Sequence, residues 1–130
     1  MDIKDLYTQH LQDHYHNPRN RRKIALPSFS SGQHNPSCGD RILIEGKIKN
    51  GVVVDLVFQG QGCVISMAVA SMLTEFCKNK KIPDILKLNS QDIAKLVGIK
   101  LGPSRMRCAM LPLMAMQDGL EKYENTGSQT

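Results

Sequence analysis

The residues best suited to chemistry lie in one short stretch, in which Cys38 and Asp40 flank Gly39. Thiolate and carboxylate are both ligands of zinc and iron, so two such side chains one residue apart could converge on one ion. Pro36 favours a turn before them, and Gly39 adopts backbone angles that other residues resist. A Cys-x-Asp sequence alone is a weak indication of a metal site, and its support comes from the cysteines downstream.

Three further cysteines, Cys63, Cys77 and Cys108, complete the set of thiols. None of the four forms a Cys-x-x-Cys pair, so the sequence lacks the spacing of the usual zinc fingers and thioredoxins. In a reducing cytosol a disulfide framework is not expected either. The separated cysteines are therefore predicted to be metal ligands or nucleophiles.

The composition predicts one cytoplasmic domain. The chain has 130 residues, 41% of them hydrophobic, which suits a single core. No apolar run reaches membrane-spanning length, and the first residues lack the basic-then-apolar order of a signal peptide. We assign residues 1–124 to the domain and residues 125–130 to a disordered tail. The net charge of +5 favours acidic partners over nucleic acid, and no membrane is expected as a partner.

A β-hairpin is the element expected to bring the cysteines together. Residues 41–49 and 52–58 carry alternating apolar or β-branched side chains, and Asn50-Gly51 between them is a strong hairpin-turn signal. In an antiparallel pair the second strand returns to the end at which the first began. It therefore delivers Cys63 close to Cys38, which lies 25 positions earlier.

Two helices are expected to carry the remaining cysteines. Small and apolar residues from 64 to 77 predict a buried helix with Cys63 at its N-terminus, where backbone N–H groups stabilise a thiolate. Cys77 lies about 21 Å further along at about 1.5 Å per residue, so it is expected in the core or at its boundary. A last helix is predicted within residues 108–123. It either kinks at Pro112 or begins near Leu111, and both alternatives put Cys108 at or just before a helix N-terminus.

A first amphipathic helix is predicted over residues 3–16, ended by Pro18. We expect its three histidines at the surface or at the core boundary, and His34 as an ordinary loop residue. The histidines of this helix are His10, His14 and His16.

Three other segments have weaker patterns. The basic run 19–23 is a solvated face, a docking patch for an acidic partner or, third, a phosphate-binding patch, and it lacks the interleaved aromatic residues of single-strand nucleic-acid sites. Residues 24–33 are expected to be irregular or edge structure. Residues 91–97 predict a short helix, capped by Asn89 or Ser90 and ended by Gly98.

Taken in order, these motifs resemble the U-type iron–sulfur cluster assembly proteins, the NifU N-terminal, IscU and SufU family. The resemblance extends from about residue 6 to about residue 123. The motifs that carry it are Asn17-Pro18-Arg19-Asn20, Asn35-Pro36-Ser37-Cys38-Gly39-Asp40, Gly60-Gln61-Gly62-Cys63, Leu73-Thr74-Glu75, Asp92-Ile93-Ala94 and Arg107-Cys108.

The resemblance implies an α+β fold, with a small antiparallel sheet of about three strands and flanking helices. It implies that Cys38, Asp40, Cys63 and Cys108 gather at one exposed end and hold Zn²⁺ or a [2Fe–2S] cluster in the same site. The implied partners are a cysteine desulfurase, an iron donor and apo-acceptor proteins. Cys108 and Cys38 are the expected sulfur acceptors, and three thiolates with one exchangeable carboxylate suit a cluster that must be passed on.

The residues before the third cysteine depart from one branch of the family. Classical Isc-type members have a histidine immediately before that cysteine and a Leu-Pro-Pro-Val-Lys chaperone motif ahead of it. Here Arg107 precedes Cys108, as in Suf-type members, and the motif is altered, so chaperone recognition is not carried over. The 45 positions between Cys63 and Cys108 match the shorter Isc-type spacing instead.

Three functions therefore remain open at this point. The first is a scaffold that accepts sulfur and iron to build and pass on a [2Fe–2S] cluster, and it is favoured by the short spacing. The second is a zinc-dependent sulfurtransferase that serves a Suf-type desulfurase. The third, supported by the basic run alone, is a zinc-stabilised structural or nucleic-acid-binding module. A scaffold and sulfur acceptor is expected rather than a true enzyme.

Overall fold

The computed structural model describes residues 3–37 and 39–126, and for residues 3–5 the backbone only. Within this part of the chain the fold is α+β, with one antiparallel sheet in the strand order β1-β2-β3-β4. The strands are β1 (Phe29–Asn35), β2 (Asp40–Lys49), β3 (Val52–Gln61) and β4 (Lys80–Lys81). The helices are α1 (Ile3–His16), α2 (Val64–Cys77), α3 (Ile82–Leu86), α4 (Ser90–Val97) and α5 (Pro103–Thr126).

The predicted hairpin is confirmed as β2 and β3. Asn50 and Gly51 both have left-handed backbone angles, with φ of 53° and 76°, as the tight turn between the strands requires. Strand β3 continues three residues beyond the predicted end at 58, because Gln61 still pairs with Arg41. The hairpin therefore sets the residues after β3 beside the first residue of β2.

The first strand is more regular than its sequence indicates. Residues 29–35 form an edge strand on β2, closed by the pair Asn35 and Asp40, whereas residues 24–33 were expected to be irregular or edge structure. Serine and glycine hide the alternation, which shows only in the buried side chains of Phe29 and Ser31. Three long strands match the expected sheet, and the two-residue β4 is an additional element.

The core lies between the sheet and the helices α2 and α5, with α1 packed on α2. Burial of large aliphatic side chains from each of these elements supplies the main stabilising term. Helix α2 is buried along most of its length, as its small and apolar residues predict. The largest fully buried side chains in the core include Ile44, Leu56, Phe58, Leu73, Leu113, Met116 and Leu120.

Helix α5 begins earlier than predicted. It starts at Pro103, five residues before Cys108, because proline at a first helical position loses no intrahelical bond and already has helical φ. It then runs through Pro112, which costs one backbone hydrogen bond, and burial of Leu111, Pro112 and Leu113 offsets that cost. The helix also includes residues 125 and 126, which were expected in the tail, while the rest of that tail, 127–130, lies outside the described residues.

Two short helices connect α2 to α5. The predicted α4 is confirmed: the Asn89 side chain accepts hydrogen bonds from the first-turn amides, the Asp92 carboxylate accepts a bond from the Asn89 N–H, and Gly98 ends the helix with φ of 77°. Helix α3 was not predicted, because Pro83 suggested a break, although proline is tolerated in a first helical turn.

One histidine of α1 belongs to the core. His14 is 1% exposed, and its Nδ1 lies 2.7 Å from the Ser71 Oγ on α2, so the expectation of a surface or boundary residue is wrong for His14. Its polar partner explains the burial, since a buried imidazole needs a hydrogen bond. The other histidines, His10, His16 and His34, are exposed, and His34 lies in β1, paired with Arg41, rather than in a loop as expected.

The basic run after α1 is largely engaged by the chain itself. Arg19 pairs with Asp13 at 2.6 Å, Arg22 pairs with Asp55 at 2.9 Å, and Arg21 donates to the carbonyl of Gly60 at 2.9 Å. These bonds fasten the loop to α1 and β3. Among the described ranges no helix combines the length and apolar character needed to cross a bilayer.

Candidate metal centre

Three of the four predicted ligands converge in space. The ligand atoms of Asp40, Cys63 and Cys108 all lie within 4.8 Å of one another, although the residues come from β2, the start of α2 and α5. The fourth predicted ligand, Cys38, lies outside the described residues. The residues around it form the turn between β1 and β2, in which the Gly39 amide donates to the Asn35 carbonyl at 2.9 Å.

Asp40 is the most informative member of the group. It is only 2% exposed, and its Oδ1 accepts a hydrogen bond from the Cys63 amide at 3.2 Å. Its Oδ2 is buried and has no hydrogen-bond partner among the described residues. Burying a carboxylate oxygen without a partner is costly, and a bound cation would offset that cost.

Cys63 is the N-cap of α2. Its Sγ accepts a hydrogen bond from the amide of Ser66, in the first turn of the helix, at 3.5 Å. The thiol is exposed, in contrast to the other two ligands. Its placement at a helix N-terminus, which favours a thiolate, was predicted and is confirmed.

Cys108 is placed differently from its prediction. It lies in the second turn of α5 rather than at or before the N-terminus, and it is 8% exposed. The Cys108 side chain is therefore less exposed than its expected position at one exposed end of the fold implied. Arg105 and Arg107, in the turn before it, are exposed, and Arg105 lines the same cavity as Cys63 and Cys108.

Cys77 is separate from this group, as predicted. It is fully buried at the last residue of α2, and burial raises the pKa of its thiol to about 12. A thiol that remains protonated at neutral pH is a packing residue.

The donor set fits a tetrahedral soft-metal ion. Zinc–thiolate bonds of about 2.3 Å space two sulfur ligands about 3.8 Å apart. Ligand atoms already within 4.8 Å therefore need about 1 Å of movement or less. Cys63 and Cys108 would supply thiolates and Asp40 a carboxylate, which leaves one position for a further ligand.

Gly62 permits this arrangement because it has no side chain. A Cβ at this position would lie 2.8 Å from the Asp40 Cγ and 2.6 Å from the Ser66 Oγ, both closer than van der Waals contact. Sequence reasoning missed Ser66, whose only signal is a hydroxyl residue three positions after a capping cysteine.

An apolar cavity opens beside the two thiols. Its volume is about 460 Å³, and α1, α2 and α5 all contribute to its wall. Arg105 supplies the only charged side chain among the lining residues. The residues that line it are Thr8, Leu11, Cys63, Val64, Ile65, Ile99, Ser104, Arg105 and Cys108.

Known proteins resemble this chain in sequence and in fold. The zinc-dependent sulfurtransferase SufU of Bacillus subtilis is 36% identical, over 95% of each chain. The iron–sulfur cluster assembly scaffold protein IscU 1 of Archaeoglobus fulgidus is 34% identical, over 91% of this chain and 76% of its own. The crystal structure of a NifU-like protein (N-terminal) from Brucella abortus superposes with a TM-score of 0.77 at 18% identity, over 95% of this chain and 98% of its own.

A match to a whole family decides the relationship. The family described as the NifU-like N terminal domain matches residues 6–130, which is nearly the whole chain. Together with relatives above 30% identity on both the SufU and IscU sides, the match establishes the resemblance that the sequence motifs indicated. The chain belongs to the NifU-like N-terminal domain family.

Proposed function

We propose that this chain is an iron–sulfur cluster assembly scaffold, which receives sulfur from a cysteine desulfurase and iron from a donor protein and passes a [2Fe–2S] cluster to apo-acceptor proteins. The observation that carries the proposal is the convergence of Asp40, Cys63 and Cys108, whose ligand atoms lie within 4.8 Å of one another, together with a buried Asp40 oxygen that has no hydrogen-bond partner among the described residues. Cys38, on the adjacent turn, is the fourth proposed ligand. The scaffold name of the Archaeoglobus relative supports the same function.

The mixed donor set suits temporary holding of a cluster. Thiolates bind iron and zinc strongly, while a carboxylate is a harder and more exchangeable ligand. The Cys63 amide holds the Asp40 Oδ1, while Oδ2 has no hydrogen-bond partner among the described residues, so the carboxylate could bind and release a metal without leaving its place in β2. Zn²⁺ occupies the same ligands when no cluster is present.

Sulfur transfer requires a thiolate that attacks the terminal sulfur of the desulfurase persulfide. A new S–S bond forms on the acceptor, and the desulfurase thiolate leaves. Cys108 and Cys38 are the proposed acceptors, with Arg107 supplying positive charge beside Cys108. Because Cys108 is 8% exposed and Cys63 is exposed, mass spectrometry should also look for persulfide on Cys63.

A second function has a specific observation in its favour. The 36% identical relative from Bacillus subtilis is a zinc-dependent sulfurtransferase, and Arg107 precedes Cys108 as in the Suf-type branch. In that case the metal would remain bound while one ligand thiolate leaves it and accepts sulfur from the desulfurase persulfide. The two functions use the same residues and differ in whether iron replaces zinc.

One experiment separates the two functions. The protein is mixed anaerobically with a cysteine desulfurase and cysteine, ferrous iron is added, and visible absorbance and sulfide release are followed. A scaffold develops the [2Fe–2S] chromophore with stoichiometric iron, and the Cys63→Ser variant does not. Strong acceleration of the desulfurase with retained zinc and no colour would select the sulfurtransferase. If neither the chromophore nor the acceleration is observed, both functions are overturned.

The role of Asp40 in release is tested on the loaded protein. We expect Asp40→Ala to slow cluster transfer to an apo-ferredoxin, because the exchangeable ligand is lost. Transfer at the wild-type rate would show that Asp40 is not the release point.

A further inference from the structure

Ser66 is a buried hydroxyl residue directly beneath the Cys63 thiol. It is 0% exposed, in the first turn of α2. Its Oγ donates to the Cys63 carbonyl at 3.2 Å and lies 3.7 Å from the Cys63 Sγ. Its backbone N–H points at the same sulfur, at 3.5 Å. Ser66 thus lies within hydrogen-bonding distance of both the carbonyl and the thiol of Cys63.

The Cys63 carbonyl does not depend on the hydroxyl. It also accepts the first helical hydrogen bond of α2, from the Met67 amide at 3.2 Å. If the Ser66 hydroxyl turns away, that carbonyl keeps a partner. The hydroxyl therefore has two acceptors within reach and a single proton to give.

The better acceptor changes with the state of the sulfur. A neutral thiol can donate a hydrogen bond to the Ser66 Oγ, and the Ser66 hydroxyl then donates its own hydrogen bond to the Cys63 carbonyl. Metal binding removes the thiol proton to solvent and leaves a thiolate, which only accepts. Charge-assisted hydrogen bonds are stronger than neutral ones, so the hydroxyl gains by turning to the sulfur.

We propose that Ser66 is a positioning residue of the metal centre, whose hydroxyl turns from the Cys63 carbonyl to the Cys63 thiolate when a metal ion binds. The thiolate then accepts two hydrogen bonds from one residue, which hold it toward Asp40 and Cys108. This inference rests on the proposed metal-binding function and deepens it, since it assigns a supporting contact outside the four ligands.

Helix capping alone does not account for the hydroxyl. The cap bond runs from the Ser66 amide to the Cys63 sulfur, and alanine at position 66 would make the same bond. The Ser66 Oγ also helps to exclude a side chain from position 62, because a Cβ on Gly62 would lie 2.6 Å from it. The hydroxyl is thus packed against both the ligand Cys63 and the residue that abuts Asp40.

The test compares Ser66→Ala with a matched control, Ser71→Ala. Ser71 is also a fully buried serine of α2, but it bonds to His14 and to the Arg19 amide, away from the ligands. Zinc affinity is measured by competition with a chromophoric chelator. The energy of the sulfur-to-metal charge-transfer band is measured after substitution with Co²⁺.

We expect Ser66→Ala to weaken zinc binding by about 10- to 100-fold, the usual cost of losing a supporting contact to a ligand. We also expect its charge-transfer band to move to lower energy, because a thiolate without the hydrogen bond holds its electrons less tightly. Ser71→Ala should remain within about twofold of wild type, with an unmoved band.

Wild-type zinc affinity in Ser66→Ala overturns the inference, and so does a loss accompanied by an unmoved band, since that indicates a merely structural effect. Failure of the wild type itself to bind zinc would instead contradict the proposed function. If Ser66→Ala does not fold, as judged by circular dichroism, the wild type loaded with ¹¹³Cd decides. Scalar coupling between ¹¹³Cd and the Ser66 hydroxyl proton supports the inference, and its absence overturns it.

Discussion

Helix α2 carries a cysteine at each end, and the two thiols lie in opposite environments. Cys63 caps the N-terminus, is exposed, and receives a hydrogen bond from the helix backbone. Cys77 is the last helical residue, lies in the core, and is fully buried. The first end offers the sulfur a backbone N–H donor and solvent, whereas burial at the second end favours the neutral thiol.

The difference shows that position, rather than residue type, assigns a cysteine its chemistry. Both side chains belong to one helix, 14 positions apart. Only the N-terminal one has backbone donors, solvent and a neighbouring carboxylate around it. The following predictions test this contrast, beginning with the largest effect.

The Cys77 thiol should be nearly inert in the folded protein. Burial raises its pKa from 9.0 to about 12, so it ionises about 1000-fold less than in the unfolded chain. We expect iodoacetamide at pH 8 to modify Cys77 at least about 1000-fold more slowly in buffer than in denaturant, while Cys63 reacts in both. Peptide mass spectrometry measures the two sites separately, and comparable rates for Cys77 in the two solutions would contradict the contrast.

Removing each thiol should have different consequences. Cys63→Ser should lose zinc affinity by more than about 100-fold, beyond the range for a lost supporting contact. Cys77→Ala should bind zinc as wild type does and lose about 1 kcal/mol of unfolding free energy through a small cavity. Chelator competition and urea denaturation give the two quantities. Full zinc retention in Cys63→Ser would remove Cys63 from the ligand set.

The N-terminal environment can also be altered without touching a ligand. Gly62→Ala places a methyl group 2.8 Å from the Asp40 Cγ, so we expect zinc affinity to fall about tenfold as the carboxylate is displaced. Gly102→Ala is the matched control, because a Cβ there meets no atom within 4 Å. Equal zinc affinity in both variants would show that the Asp40 position is not critical.

Local signals predicted the elements that depend on neighbouring residues. The turn at Asn50-Gly51 fixed the hairpin, and the hairpin brought Asp40 toward Cys63. The burial of Asp40 and the start of α5 could not be predicted in the same way. They depend on packing between β2, α2 and α5, and Pro112 looked like a boundary because its buried surroundings are invisible in a local pattern.

The buried His14 of α1, whose imidazole meets Ser71 on α2, contributes a pH dependence. Burial, followed by the nearby positive charges of Arg19 and His10, lowers the His14 pKa below 6.5, while Glu75 and Asp13 oppose this shift weakly. Below about pH 6.5 the His14 side chain therefore binds a proton in the unfolded chain more readily than in the folded chain. The contribution of neutral His14 to the unfolding free energy is complete above that pH and falls below it. One such group changes the unfolding free energy by at most about 1.4 kcal/mol per pH unit.

We expect urea denaturation at pH 5.5 to show lower stability than at pH 7.5, and we expect this difference to shrink in His14→Gln. The exposed His10 and His16 remain in both proteins and serve as an internal control. An unchanged pH dependence in His14→Gln would assign the effect to other groups.

The origin of the ligands in three distant parts of the chain has a consequence for the lifetime of the protein. Positions 40, 63 and 108 meet only after the sheet and helices have formed, so the unfolded chain offers no comparable site. Occupancy by metal would then act as folding free energy, about 2.7 kcal/mol when free metal exceeds Kd by 100-fold. A cell short of metal would hold more of this chain in the unfolded form that proteases degrade, and supply of metal would regulate its abundance without any dedicated sensor.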